Sequence, residues 1–125
     1  MRKQKSESIT LKYGKENIQL DYTELRKAVL VLRSINHKLR QRIIDLLEEN
    51  EKMTVTDIYI KLRLEQSVAS QHLAIMRRAG TVATERQGKF IFYRLDKDNL
   101  SKMSKIFGDL SSFSKDKPNK DEENE

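Results

Sequence analysis

Gln66, Ser67, Val68, Ser70 and Gln71 are the residues best suited to recognition chemistry, in the stretch LEQSVASQHLAIMRRAG from Leu64 to Gly80. Ala69, Leu73 and Met76 stand at i, i+4 and i+7 there, which on a helix makes one apolar stripe that must be buried. Ser67, Ser70, Gln71, Ala74 and Arg77 make a second stripe at the same helical spacing. Its first half is small, uncharged and able to hydrogen-bond. Arg77 and Arg78 follow in the last turn, and Gly80 stands where a glycine commonly ends a helix. Short polar side chains near a helix N-terminus can reach base edges in a DNA major groove, while arginines near its end can meet phosphates. The same pattern also fits an ordinary amphipathic surface helix.

Other chemistries have little to work with. The chain has no Cys, which excludes disulfides, thiolate metal sites and thiol redox switching. Its two histidines, His37 and His72, are 35 positions apart. Ser70 and His72 are two residues apart on a helix and do not face each other. There is no glycine-rich phosphate loop. An enzyme, a cofactor and a metal site are therefore not expected.

The surrounding elements must position the recognition stretch. Residues 1–21 are polar and mixed, with a brief extended piece at Ile9-Thr10-Leu11 in an otherwise flexible arm. From Tyr22, Leu25, Val29, Leu32 and Ile35 follow helical spacing, with Asp21 or Thr23 as cap. Asn36 reads as a break and the N-cap of a second helix, whose apolar face is Leu39, Ile43, Leu46 and Leu47. Thr54-Val55-Thr56-Asp57 has the form of a capping box opening a third helix to about Arg63, with Ile58, Tyr59 and Leu62 inward. A short turn then leads into the recognition stretch, the layout of a helix-turn-helix. After Gly80 the period changes to two. Val82, Thr84 and Arg86 alternate on one strand, Phe90, Phe92 and Arg94 on the next, and Gln87-Gly88 supplies the turn, so a β-hairpin carries Arg86 and Lys89 at its tip. Asp98 or Asn99 caps a last helix with a heptad-like apolar seam of Leu100, Met103, Phe107 and Leu110.

The 125 residues suffice for one domain with a modest, mainly aliphatic core, since only 6% are aromatic. Net charge is +6, and residues 114–125 hold three Lys against five acidic residues, leaving +8 on the rest. That balance favours an anionic partner, nucleic acid before membrane surface. The charged tail 114–125 reads as disordered. No secretory h-region and no membrane-spanning run is present, so a cytoplasmic protein without membrane partners is expected.

From Tyr22 to Phe113 the chain resembles the winged helix-turn-helix repressors of the ArsR/SmtB class. The resemblance rests on QSVASQHLAIMRRAGTV followed by RQGKFIFYRL, where Ser67, Ser70, His72, Leu73, Ala79, Gly80, Val82, Gly88, Tyr93 and Leu95 match the family pattern. Arg40, Arg42 and Ile43 in INHKLRQRII match the opening of the family's second helix. It implies a mostly α fold with a β-hairpin wing, in the order α-α-α-α-β-β-α, forming a homodimer on double-stranded DNA with an inverted repeat. The domain would span residues 22–113. Gln66, Ser67, Val68, Ser70 and Gln71 would face base edges or, for Gln66, phosphate, and Arg77, Arg86 and Lys89 would hold phosphates or reach the minor groove. Leu25, Val29 and Leu32 of the first helix and Leu100, Met103, Phe107 and Leu110 of the last would pair across the two-fold axis.

Three departures from the family bear on function. Thr54-Val55-Thr56 stands where its arsenic sensors carry Cys-Val-Cys. The last helix has Asp98 and Asp109 but no His, where zinc-type members place Asp and His ligands, and two carboxylates do not make a tetrahedral zinc set. Tyr59 replaces a small residue, filling a void or altering how the third helix packs on the recognition helix. The expected function is therefore a sequence-specific ArsR-type repressor lacking the usual metal ligands. The alternative is a winged-helix module that binds protein, which would call for an apolar recognition helix.

Overall fold

Ala28, Val31 and Ser34 are the buried residues of the first long helix, and they show which way the molecule faces. The computed structural model describes residues 8–13 and 15–115. It runs β1 (Ser8–Tyr13), β2 (Glu16–Asp21), α1 (Tyr22–Ile35), α2 (Lys38–Asn50), β3 (Lys52–Thr54), α3 (Val55–Leu62), α4 (Gln66–Ala79), β4 (Val82–Gln87), β5 (Phe90–Leu95) and α5 (Lys97–Lys115). The five helices and the wing are those expected from the sequence, and three strands are additional.

Two of these strands lie in the arm. β1 and β2 pair antiparallel from Ser8↔Asp21 to Tyr13↔Glu16, so the extended piece foreseen at Ile9–Leu11 is half of a hairpin. Asp21 ends that hairpin and caps α1, its Oδ1 accepting from Thr23 N at 2.8 Å. The third, β3, joins the wing in a three-stranded sheet of order β3-β5-β4. Its register, Lys52↔Arg94 to Thr54↔Phe92, buries Met53 and places Thr54 to cap α3, where Oγ1 accepts from Asp57 N at 3.2 Å.

Caps account for the remaining shifts of boundary. Asn36 closes α1 rather than opening α2, and its N–H donates to Leu32 O. His37 opens α2, with Nδ1 accepting from Leu39 N at 3.1 Å. At α5 the cap is Asp96, whose Oδ1 accepts from Asn99 N at 3.2 Å. Residues 114 and 115, read as tail, continue α5, and 116–125 lie outside the described residues.

The main core joins Ile43, Leu46 and Leu47 of α2, Met53, Ile58 of α3, Leu73 and Met76 of α4, and Val82 and Leu95 of the wing. A second cluster, Ala28, Val31 and Met103, packs α1 against α5 within one chain. Met103 is 1% exposed there, which corrects its assignment to a seam between subunits: its side chain is already used inside the protomer. Leu100 and Phe107 are half-buried against the same cluster, and Ile106, missed in the sequence, joins them. The Leu110 side chain lies outside the described residues. On α1 the expected stripe faces out: Val29 is 37% and Leu32 51% exposed, while Leu25 is half-buried.

Candidate nucleic-acid interface

The rotation of α4 about its axis is set from behind. Ala69, Leu73 and Met76 are fully buried, and each would have to leave the core for the helix to turn. The entry to α4 is fixed as well. Arg63 adopts a left-handed conformation at φ 56°, and Leu64 N donates to Tyr59 O at 2.9 Å, closing α3 before α4 begins. Tyr59 itself is half-buried.

The face opposite the core carries Gln66, Ser67, Ser70, Gln71, Ala74 and Arg77, all exposed, with Val68 half-buried at its edge. Small uncharged side chains occupy its first two turns and a guanidinium its last. Such a surface can approach a groove floor without desolvating a fixed charge, and it offers both donors and acceptors.

The wing is anchored where α4 ends. Gly80 sits at φ 88°, a conformation that costs a residue with a Cβ about 1–2 kcal/mol. Its carbonyl accepts from Asn99 Nδ2 at 2.8 Å, and a Cβ at this position would run into that amide. Asp96 N donates to Thr81 O at 2.9 Å, tying the far end of the hairpin to its beginning. β4 and β5 pair from Val82↔Leu95 to Gln87↔Phe90, so the turn is Gly88-Lys89, one residue later than expected, with Gly88 at φ 62°.

Arg86 and Lys89 are both exposed at this tip. Arg86 also braces the turn, its Nε donating to Gly88 O at 3.2 Å, and Lys89 Nζ lies 5.4 Å from the centre of the Phe90 ring. The sequence reading missed the outer face of the sheet. Lys52 and Arg94 are opposite each other in register, and Lys52 Nζ lies 5.2 Å from the Phe92 ring centre and 3.8 Å from Glu85. Period-two alternation had assigned Phe92 and Arg94 to one face, but a three-residue strand is too short to reveal that Lys52 joins them.

The two histidines meet at the junction of α2 and α4. Their ring centroids are 4.8 Å apart, and Arg40 Nε donates to His72 Nδ1 at 3.2 Å. Burial, then the neighbouring His37 ring and Arg40 guanidinium, hold the His72 imidazole below the usual histidine range. His37 Nδ1 is taken by the α2 cap. Both rings therefore serve the packing of the helix-turn-helix.

A second buried contact fixes α1 to the end of α4. Ser34 Oγ donates to Val31 O at 2.8 Å and is hydrogen-bonded to Thr81 Oγ1. With the Ser34 proton committed, the Thr81 hydroxyl is the donor. Ser34 and Thr81 are the two buried polar side chains among the described residues, and they satisfy one another.

Comparison with known proteins gives one consistent set of likenesses. The family described as bacterial regulatory protein, arsR family, matches residues 37–84, which run from the α2 cap into the wing. The transcriptional activator HlyU of Vibrio cholerae is 33% identical over 96 residues, covering 77% of this chain and 88% of that protein. The crystal structure of the transcriptional repressor PagR of Bacillus anthracis superposes with a TM-score of 0.57 at 33% identity, over 60% of this chain and 85% of that one. A homodimeric winged helix-turn-helix DNA-binding domain, Mb0332 of Mycobacterium bovis, shares the fold at a TM-score of 0.59 and 21% identity, over 72% of this chain and 83% of that one.

Proposed function

The chain belongs to the ArsR family of bacterial regulatory proteins, and on that premise we propose that it is a homodimeric, metal-independent repressor that reads an inverted repeat with α4. Family membership makes it a DNA-binding transcriptional regulator and not an enzyme. The operator geometry, the residue roles and the independence from metal are our reading.

The observation that carries this reading is the exposed stripe Ser67, Ser70 and Gln71 on a helix locked from behind by Ala69, Leu73 and Met76. Ser67, Ser70 and Gln71 meet base edges, with Gln71 able to pair bidentately with adenine, and Val68 offers apolar contact to a thymine methyl. Gln66 and Arg77 flank them, and the wing brings Arg86 and Lys89 to the backbone or the minor groove.

Metal independence is supported by the residues themselves. Thr54 is the cap of α3, no Cys exists, and the two histidines are engaged in packing α2 on α4. Dimerisation is supported by α1, where Val29 and Leu32 stand exposed in the protomer beside a half-buried Leu25. Pairing that stripe across a two-fold axis would bury it. No helix among the described residues is long and apolar enough to cross a membrane.

Two substitutions separate reading from holding. Gln71→Ala is expected to cost about 1–3 kcal/mol on a cognate duplex and to relax base preference. Lys89→Ala is expected to weaken all duplexes alike and to lower the salt slope by about one. Equal losses on cognate and random duplexes for both variants would remove these roles.

A further inference from the structure

Phe90 and Ile91 stand at the tip of the wing, 52% and 50% exposed. Exposed large hydrophobic side chains among the described residues gather on α1 and at this tip, with Ile60 of α3 apart from both. The α1 group has a use in the dimer proposed above. Phe90 and Ile91 are neighbours on β5, so strand alternation sets them on opposite faces of the hairpin. Packing on the domain could explain one of them at most, and it takes up neither. Farther along β5, Phe92 and Tyr93 are half-buried and Leu95 is buried, so the strand leaves the domain as it reaches the tip.

The same tip carries Arg86, opposite Ile91 in register, and Lys89, next to Phe90 in the chain. Both cations are exposed. Charge therefore draws the tip to phosphates, and the apolar pair arrives with it. The tip is also braced. Arg86 Nε donates to Gly88 O across the turn, and the Phe92 ring centroid lies 6.4 Å from that of Phe90. At the other end of the hairpin, Asn99 Nδ2 holds Gly80 O. The Lys89 ammonium lies 5.4 Å from the Phe90 ring centre, and its transfer to a phosphate would uncover that ring.

Two strands about 4.8 Å apart nearly span a minor groove about 6 Å wide before side chains are added. Such a tip enters only where the groove opens, and parting a base step opens it. Phe and Ile are among the side chains able to part stacked bases, and pyrimidine–purine steps part most readily. We propose that Phe90 and Ile91 form an apolar wedge that enters the minor groove beside each half-site, parts a base step there and bends the duplex. Sequence preference then extends to a step that α4 does not touch. This wedge rests on the DNA-reading function proposed above.

The test uses the full chain and a duplex that wild type selects from a random pool. Bending is read from the gel mobility of circularly permuted duplexes. Wild type is expected to bend the duplex by at least about 20°. It should lose at least about fivefold in affinity, or about 1 kcal/mol, when the flanking pyrimidine–purine steps are replaced by GC steps. Phe90→Ala/Ile91→Ala should at least about halve the bend and bring that step discrimination below about twofold. Its thermal melting should match wild type, since both residues are exposed. Phe90→Leu, which keeps an apolar wedge, should retain the bend. A straight duplex, a bend that survives the double variant, or equal affinity of wild type for both flanks would each overturn the wedge and leave α4 as the reader. If no duplex is enriched, the DNA-reading account fails and the wedge with it. Sedimentation without DNA covers the other occupant of the tip. Conversion of a dimer to a monomer by the double variant would assign the tip to contact between copies and overturn the wedge.

Discussion

Arg40 and His72 lie 32 residues apart and meet through one hydrogen bond, from Arg40 Nε to His72 Nδ1 at 3.2 Å. The bond requires an unprotonated Nδ1, so it selects the neutral imidazole and couples the α2–α4 junction to pH. Burial and the neighbouring charges push in the same direction. The folded state therefore binds fewer protons than the unfolded chain when the pH lies between the lowered value and the ordinary histidine value of about 6.5. Stability from this site is complete above about 6.5 and is lost as pH falls through the lowered value. Melting temperatures between pH 7.5 and 5 should fall more steeply for wild type than for His72→Gln, which keeps an acceptor for Arg40 without titrating. Parallel profiles would show that His72 contributes no linkage.

Ser34 and Thr81 should behave as one unit. Thr81→Val leaves a buried Ser34 lone pair without a donor, and Ser34→Ala leaves the Thr81 hydroxyl without an acceptor. Each is expected to cost about 1–3 kcal/mol in urea denaturation, and the double variant clearly less than the sum. Additive losses would mean that the contact between α1 and the end of α4 is not an energetic link.

The outer face of α1 and the α5 residue packed on its inner face make opposite predictions. Leu32→Glu changes an exposed residue of the protomer, so the variant should fold but sediment as a monomer. Met103→Ala empties a site buried within the chain and should lower stability by about 2–5 kcal/mol. A dimeric Leu32→Glu protein would place the interface elsewhere.

Much of this architecture was legible because the strongest signals were periodic. Ala69, Leu73 and Met76 fixed the buried side of α4, and the change to period two located the wing. The stripe on α1 was legible as a pattern set toward a second subunit, but the face of α1 that packs inside the protomer was not, since Ala28 and Ser34, which are buried there, carry little hydrophobic signal. β3 is too short for periodicity, and the arm's strands are mostly polar. His37 is an unusual cap, so the break before α2 was assigned to Asn36.

The central claim is that a two-fold pair of α4 helices reads DNA, and selection of bound duplexes from a random pool tests it most directly. Wild type should enrich an inverted repeat with half-site centres about one helical turn, or a multiple of it, apart. Gln71→Ala should lose preference at a fixed position of each half-site, whereas Lys89→Ala should enrich the same sequence more weakly. A single half-site, or no enriched sequence at all, would contradict the account.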